Sequence, residues 1–335
     1  MSIYNVLRPA HDRLVRAGAI DLRTQHRLTR LIADRKGAVT GVECDTPGGK
    51  ASFSGKNIVL ASGGYAANEK LWNELTPDFP LCSYCNPYSQ GDGIVAAREI
   101  GAGVDGSGMY LNTVAGFREN PADATSGAFV LLSPKTRSVW EINVDGGGKR
   151  FMREDHPSID YRERALLSQP GNRMHIVFDH GILSNAAPLM AEGEDAYRAR
   201  FGKHPNFFKA ETVAELAAKL GVPGGNLKKT IADYNAAVDK GADKAFGRQF
   251  LPRPIEKAPF YAIEVGGITV ISPAGLKVDK NLRVLAKSGK AIPNLYAAGE
   301  VLGFTRTSGD AFVGGLSLTP ALTFGRLLGE KILRW

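Results

Sequence analysis

Two short apolar runs that end in glycine constrain this chain more than any other feature: Ile58-Val-Leu-Ala-Ser-Gly-Gly64 and Leu295-Tyr-Ala-Ala-Gly-Glu300. Each is brief and uninterrupted, as a strand buried on both faces is, and each breaks at glycine where the strand would hand over to the next element. In an open α/β sheet, ligands bind beyond the carboxyl ends of the strands, and a residue without Cβ lets the backbone approach a phosphate closely. Either junction alone reads as an ordinary tight turn. Two in one chain are better evidence for such a ligand site than one.

The 335 residues suffice for about two domains, since one core rarely grows past about 250. Residues 3–17 place Val6, Leu7, Ala10, Leu14 and Val15 on one helical face, with Gly18 as the stop. Residues 20–25 alternate like a strand, and 27–34 and 39–44 read as a hairpin turning at Lys36-Gly37. Pro47-Gly-Gly49 turns the chain again before 51–53, ahead of the buried strand 58–61. Residues 69–100 read as mostly helical around a proline-rich stretch from Pro77 to Pro87, with Gly91-Asp-Gly93 opening the helix that ends at Ile100.

In the middle region, 140–144 is strand-like, Asp145-Gly-Gly-Gly148 turns, and 149–164 is charged. Thr212 and Glu215 form a capping box for a helix ending at Leu220; a second helix covers 227–238. Pro252, Pro254 and Pro259 read as the exit from a second domain. Strands are then expected at 275–279, 282–286 and 293–298, followed by a glycine-rich loop from Gly303 to Gly315 and a helix over 317–333. There is no internal repeat.

Composition narrows the function classes. With 43% apolar and 23% charged residues, a disordered chain is excluded. Three cysteines exclude a disulfide scaffold and point to a reducing compartment, so a cytoplasmic location is expected. The opening MSIYNVLRPAHDRLVRAG does not read as a secretory leader, and no apolar run approaches the roughly 20 residues of a membrane helix. The net charge of +8 suits an anionic partner, but the basic residues are scattered among apolar and acidic neighbours, so nucleic acid is not expected.

Several motifs lack the context their chemistry needs. Gly101-Ala-Gly103-Val-Asp-Gly106 matches GxGxxG, but a helix precedes it where a strand is required, so Gly101 reads as a helix stop. Gly146-Gly-Gly-Lys149 is followed by Arg150 where a phosphate loop carries Ser or Thr. Cys82-Ser-Tyr-Cys85 has half-zinc or redox spacing, yet Cys44 is the only other cysteine, so two thiols in a loop and no metal site are expected. The six histidines form no metal pattern, although His156 lies in a charged cluster.

Taken in order, Ile58 to Tyr65 with Asn68, Gly91-Asp-Gly93, Gly148-Lys-Arg-Phe151 with Glu154, Thr212 to Leu216 with Asp233-Tyr-Asn235, and Leu295 to Glu300 with Gly314-Gly315 and Thr323-Phe-Gly-Arg326 resemble a known superfamily. It comprises the FAD-binding flavoproteins that include fumarate reductase, ketosteroid dehydrogenase and tricarballylate dehydrogenase. The resemblance covers nearly the whole chain. It implies an α/β fold in which a Rossmann-like FAD-binding domain, residues 1–115 and 268–335, is interrupted by an α+β cap, residues 116–267.

The same resemblance implies FAD as cofactor. It places Leu28 near adenine, Ala61, Ser62, Gly63 and Gly64 along the FAD backbone with Asn68 and Asp92, and Gly299 and Glu300 at the ribityl or pyrophosphate. Gly315, Ser317 and Leu318 would lie at the flavin, where a helix N-terminus stabilises negative charge.

Departures from the family pattern bear on substrate and mechanism. The family's dicarboxylate-binding histidine and arginine align with Ile271 and Phe312, so a small dicarboxylate loses its charge-assisted contacts. Arg150, Glu154 and Gly314 would line the substrate with them. The family's proton-donating arginine, counted from Arg150, falls on Ser158, which leaves Arg162 and Tyr161 as acid/base candidates; the plain alternative is that Arg162 pairs with Glu163 or Asp160 on a helix surface. Residues 301–335 contain no tyrosine, so the ketosteroid chemistry is not expected.

The expected function is thus FAD-dependent oxidoreduction of a CH–CH bond, a hydride passing between substrate and flavin N5. The expected partners are a small-molecule substrate and a separate electron carrier. The family's opening strand, GxGxxG turn and helix are not in this sequence. The FAD domain is therefore expected to be N-terminally incomplete, and a rival reading is a non-catalytic fragment, or a split subunit needing an N-terminal partner to hold FAD.

Overall fold

A computed structural model describes residues 3–110 and 113–332. Along the chain, helix α1 (Ile3–Arg16) precedes an antiparallel meander of β1 (Arg27–Ala33), β2 (Val39–Thr46) and β3 (Gly49–Ser54), then β4 (Ile58–Leu60), α2 (Glu69–Leu75), α3 (Asp92–Glu99) and β5 (Val104–Asp105). The middle region holds β6 (Thr113–Arg118), β7 (Gly127–Phe129), β8 (Ile142–Val144), α4 (Ile159–Leu167), β9 (Arg173–Asp179), α5 (His180–Asn185), α6 (Glu194–Ala199), β10 (Phe207–Ala210), α7 (Val213–Leu220), α8 (Gly224–Asp239) and β11 (Phe260–Ile268). The chain closes with β12 (Gly275–Leu276), β13 (Arg283–Leu285), β14 (Ala291–Ala297), α9 (Thr305–Ser308) and α10 (Leu318–Ile332).

Local chemistry sets the boundaries. Asn68 starts α2 by accepting from Leu71 N at 3.0 Å, Gly91 opens α3 with φ +77°, and Ser158 accepts from Tyr161 N at the head of α4. The expected capping box is present, the Thr212 hydroxyl accepting from Glu215 N and the Glu215 carboxylate from Thr212 N. After α3, Gly101 turns left-handed at φ +90°, the helix stop read from the sequence.

Two hydrophobic cores divide the molecule. The larger gathers residues between Val114 and Val265, among them Ile142, Met174, Phe178, Leu216 and Tyr234, around a six-stranded sheet of order β7-β6-β11-β9-β8, with β10 also on β11. The smaller gathers Leu31, Tyr65, Trp72 and Ile94 with Ala274, Leu295 and Leu328, residues far apart in sequence. Its sheet has the order β13-β14-β4, and β4 pairs parallel with β14.

Three expectations need correction. Residues 20–25 form no strand: Arg23 folds back onto Asp21, Leu22 is exposed and Gln25 sits at φ +58°, so the alternation has no sheet to join. The strand at 58–61 is not wholly buried, since Val59 is 39% exposed and of its three residues only Leu60 is buried. Pro252 to Pro259 do not end the middle unit. They lead into β11, which pairs with β6, β9 and β10 and is the hub of the larger sheet. The last residue of the helix expected at 317–333 lies outside the described residues.

Candidate functional site

Both glycine junctions leave the sheet at the same end. Leu295, Tyr296 and Ala297 pair with Ile58, Val59 and Leu60 in parallel register, and Ala298 N donates to Leu60 O at 3.0 Å. Beyond that edge the segment 272–275 stitches the two turns together. Tyr65 N donates to the Ser272 hydroxyl at 2.7 Å, Ser272 N donates to the Glu300 carboxylate at 2.8 Å, and Ala274 N donates to the Tyr65 hydroxyl at 3.2 Å. Gly64 lies where these meet, and a Cβ there would run into the Ser272 hydroxyl and the Glu300 carboxylate. Burial raises the Glu300 pKa, and its contacts with Ser272 oppose the rise.

A small cleft opens beside this network. Ile271, Gly299, Glu300, Leu316, Ser317 and Phe324 line it, so residues expected at the cofactor and at the substrate share one wall. Ser317 and Leu318 are exposed at the start of the 15-residue α10, where unsatisfied N–H groups and the helix dipole favour negative charge. Ala61 and Ser62 are exposed at the end of β4, and Gly63, at φ +76°, has open space where a Cβ would point. Gly315 adopts φ +92° in the exposed loop ahead of α10.

The other expected residues are placed as follows. Asp92, at the head of α3, takes both ends of the Arg27 guanidinium, at 2.8 and 3.0 Å, and Leu28 is half-buried next to it in β1. Asn68 spends both halves of its amide on structure, capping α2 and donating to Gln90 O at 2.9 Å. Arg150 and Glu154 are committed to each other at 2.6 and 2.7 Å and, with Asp243 at 2.8 Å, lie buried in the larger core. Phe312 is half-buried and Gly314 exposed in the glycine-rich loop.

Helix α4 brings the middle unit onto this loop. Asp160 accepts from Phe312 N at 2.8 Å, and Arg164 donates to Asp310 O and to the Asp160 carboxylate, both at 2.9 Å. Arg162, only 4% exposed, turns away and donates to Leu132 O at 2.8 Å; burial lowers its pKa. Tyr161 stands at the rim, stacked on His156 at 4.0 Å, its hydroxyl accepting from Arg153 N at 3.2 Å.

Glu163, which sequence reasoning did not single out, is wholly buried on the Asp160 face of the same helix. A carboxylate three residues from another on one helix face was the available signal.

The two cysteines of the Cys82-Ser-Tyr-Cys85 motif are half-buried, and desolvation pushes both thiols up to about 11. Neither is a ready thiolate. Among the described residues no group of three or more His, Cys, Asp or Glu could hold a metal ion, and no helix is long and apolar enough to cross a membrane.

Comparison with known proteins fits this geometry. A sequence model described as "FAD binding domain" matches residues 4–310. The chain is 34% identical over 92% of its length to the NADH:acrylate oxidoreductase of Vibrio harveyi, covering 30% of that protein. It is 30% identical over 93% of its length to a probable fumarate reductase, Ifc3, of Shewanella frigidimarina, covering 50% of it. Among solved structures it aligns with the open conformation of a flavocytochrome c3 fumarate reductase at TM-score 0.67 and 30% identity, covering 98% of this chain and 54% of that one. It therefore spans about a third to a half of the length of these relatives.

Proposed function

Because this chain belongs to the FAD binding domain family, with FAD as its cofactor, we propose that it forms the flavin and substrate-binding part of an oxidoreductase. The bond acted on is a carbon–carbon double bond, or the single bond made from it, and the substrate is not a small dicarboxylate. The observation that carries the substrate half is the pair Ile271 and Phe312: the first lines the cleft and the second is fixed beside α4. Neither offers a charge-assisted hydrogen bond to a second carboxylate, and the α4 arginines are engaged elsewhere.

The residues fit the cofactor. The exposed Ala61 and Ser62 after β4, the Gly63 backbone facing open space, and the start of α10 beside the cleft would hold its diphosphate and ring. When bound, FAD supplies hydride transfer to or from a substrate carbon. The protein's part is to orient the substrate between the cleft and α4, exclude water beneath the middle unit, and handle the proton from α4, whose Arg162 and Tyr161 are the sequence candidates. In this reading the unit built on the larger core is the cap, a separate electron carrier supplies or removes electrons, and the protein works in the cytoplasm.

The test is to reduce the FAD-loaded protein with dithionite and follow the return of oxidised flavin absorbance on adding acrylate or fumarate. Acrylate is expected to reoxidise it at least about tenfold faster, the worth of one charge-assisted hydrogen bond. Equal or faster reoxidation by fumarate would sink the substrate half.

A second reading has its own observation. Val6, Leu7 and Leu14 of α1, Val59 of β4, and Leu318, Leu322 and Leu327 of α10 are all exposed. A further polypeptide unit covering such apolar surface would be required before FAD is retained. In this reading the chain by itself is a non-catalytic part, and its purified form is colourless and takes up no added FAD.

A further inference from the structure

Three neighbouring titratable side chains on α4 have different surroundings, and one of them is closed into the seam between the two cores. Tyr161 is 38% exposed at the rim, and Arg162 is spent on Leu132 O inside the larger unit. Glu163 shares the face of Asp160 and Arg164, the face that docks on Asp310 and Phe312. It is 0% exposed, and among the described residues neither carboxyl oxygen has a hydrogen-bond partner within ordinary bonding geometry, although the nearby Thr113 hydroxyl opposes the rise in its pKa. The buried Tyr110 lies within electrostatic reach of it, with its hydroxyl 3.4 Å from that of Thr269, two residues before Ile271.

An ionised carboxylate without donors is costly to bury, so the group is held as the acid. A buried acid without a partner adds little to packing that glutamine would not. We propose that Glu163 is the proton source of this site, a carboxylic acid stored at the seam and exchanged with the substrate carbon next to the one that receives hydride. This rests on the functional reading above.

In the reducing direction the substrate double bond takes a hydride at one carbon and the Glu163 proton at the other. The hydride and its two electrons would come from reduced FAD when that cofactor is bound, and Glu163, left as carboxylate, would regain a proton from water when the seam opens. Burial first, then the Asp160 carboxylate, push the Glu163 acid up to about 8, with Arg162 opposing. From outside α4, the buried Tyr110 is the titratable neighbour. The donor is therefore present at neutral pH and lost as pH rises through about 8, matching the requirement that a catalytic pKa lie near the working pH.

Glu163→Gln separates a chemical role from a structural one, because glutamine copies the shape and neutrality of the acid without an exchangeable acid proton. Infrared spectra of the FAD-loaded protein should contain a protonated-carboxyl carbonyl band at pH 7 that fades as pH passes about 8 and is absent from Glu163→Gln. The variant should keep its FAD and melting temperature but reoxidise with acrylate about a hundredfold slower, without the alkaline fall in rate seen in the wild type. Glu163→Asp should recover part of the rate.

A wild-type rate in Glu163→Gln, or a carbonyl band that survives in it, overturns the assignment. Wild-type protein that reduces neither acrylate nor fumarate instead overturns the functional reading, and the infrared band still decides whether Glu163 is a stored acid.

Discussion

At the residue scale, Gly64 shows what a glycine in the sequence reveals and what it hides. The Ser62-Gly63-Gly64 junction was legible because only glycine fits where backbone must pass close to another group. What the sequence could not show is which group: here the Ser272 hydroxyl and the Glu300 carboxylate, more than 200 positions away along the chain. Gly64→Ala must push both aside, breaking the bridge between the two junctions. The expected outcome is at least about a tenfold loss of FAD affinity with secondary structure retained, measured by flavin fluorescence titration and circular dichroism; unchanged affinity would detach this network from the cofactor site. Arg150 and Glu154 illustrate the opposite difficulty. A short charged motif looks the same whether it faces ligand or partner, and here the partners are each other and Asp243. Glu163 was hidden for a related reason, since on a charged helix a carboxylate normally reads as solvated surface.

At the element scale, local chemistry was legible and long-range pairing was not. The capping box at Thr212 and the hairpin at Lys36-Gly37 follow from neighbours in sequence. Strand β11 does not announce itself: it follows three prolines, carries Gly266 and Gly267, and is buried nearly throughout, so period-two alternation is lost. Helix α4 ties the middle unit to the glycine-rich loop, because its docking side chains belong to one unit and their partners to the other. Asp160 holds the Phe312 amide, and Arg164 braces both Asp160 and Asp310. Asp160→Ala removes an anchor worth about 1 kcal/mol or more. The Phe312 amide should then exchange with deuterium about five- to tenfold faster while amides within the β9 and β11 pair keep their protection. Equal exchange in both proteins would mean that the loop is held by something other than α4.

At the scale of the whole molecule, Tyr110 and Ala274 belong to the smaller core and Val114 and Val265 to the larger. The sequence length allows about two units, and the described residues form two hydrophobic cores. The smaller core is the less self-sufficient. Of the residues of α1 none is buried and of those of α10 only Leu328 is, whereas the larger sheet is covered by helices such as α7 and packs Phe178, Phe207 and Tyr261 among other rings. Stability that is uneven across a chain shows as separate unfolding units. Ligand that binds only the folded form raises the stability of the unit that holds it, by about 2.7 kcal/mol at a hundred times its Kd. Adding FAD should therefore raise the lower of two calorimetric transitions and leave the upper one nearly unmoved, with amide protection increasing at 58–64 and 299–303 but not along β9. A single transition that moves as a whole would show the two cores to be one cooperative unit, with the seam at α4 strong enough to transmit cofactor binding into the larger sheet.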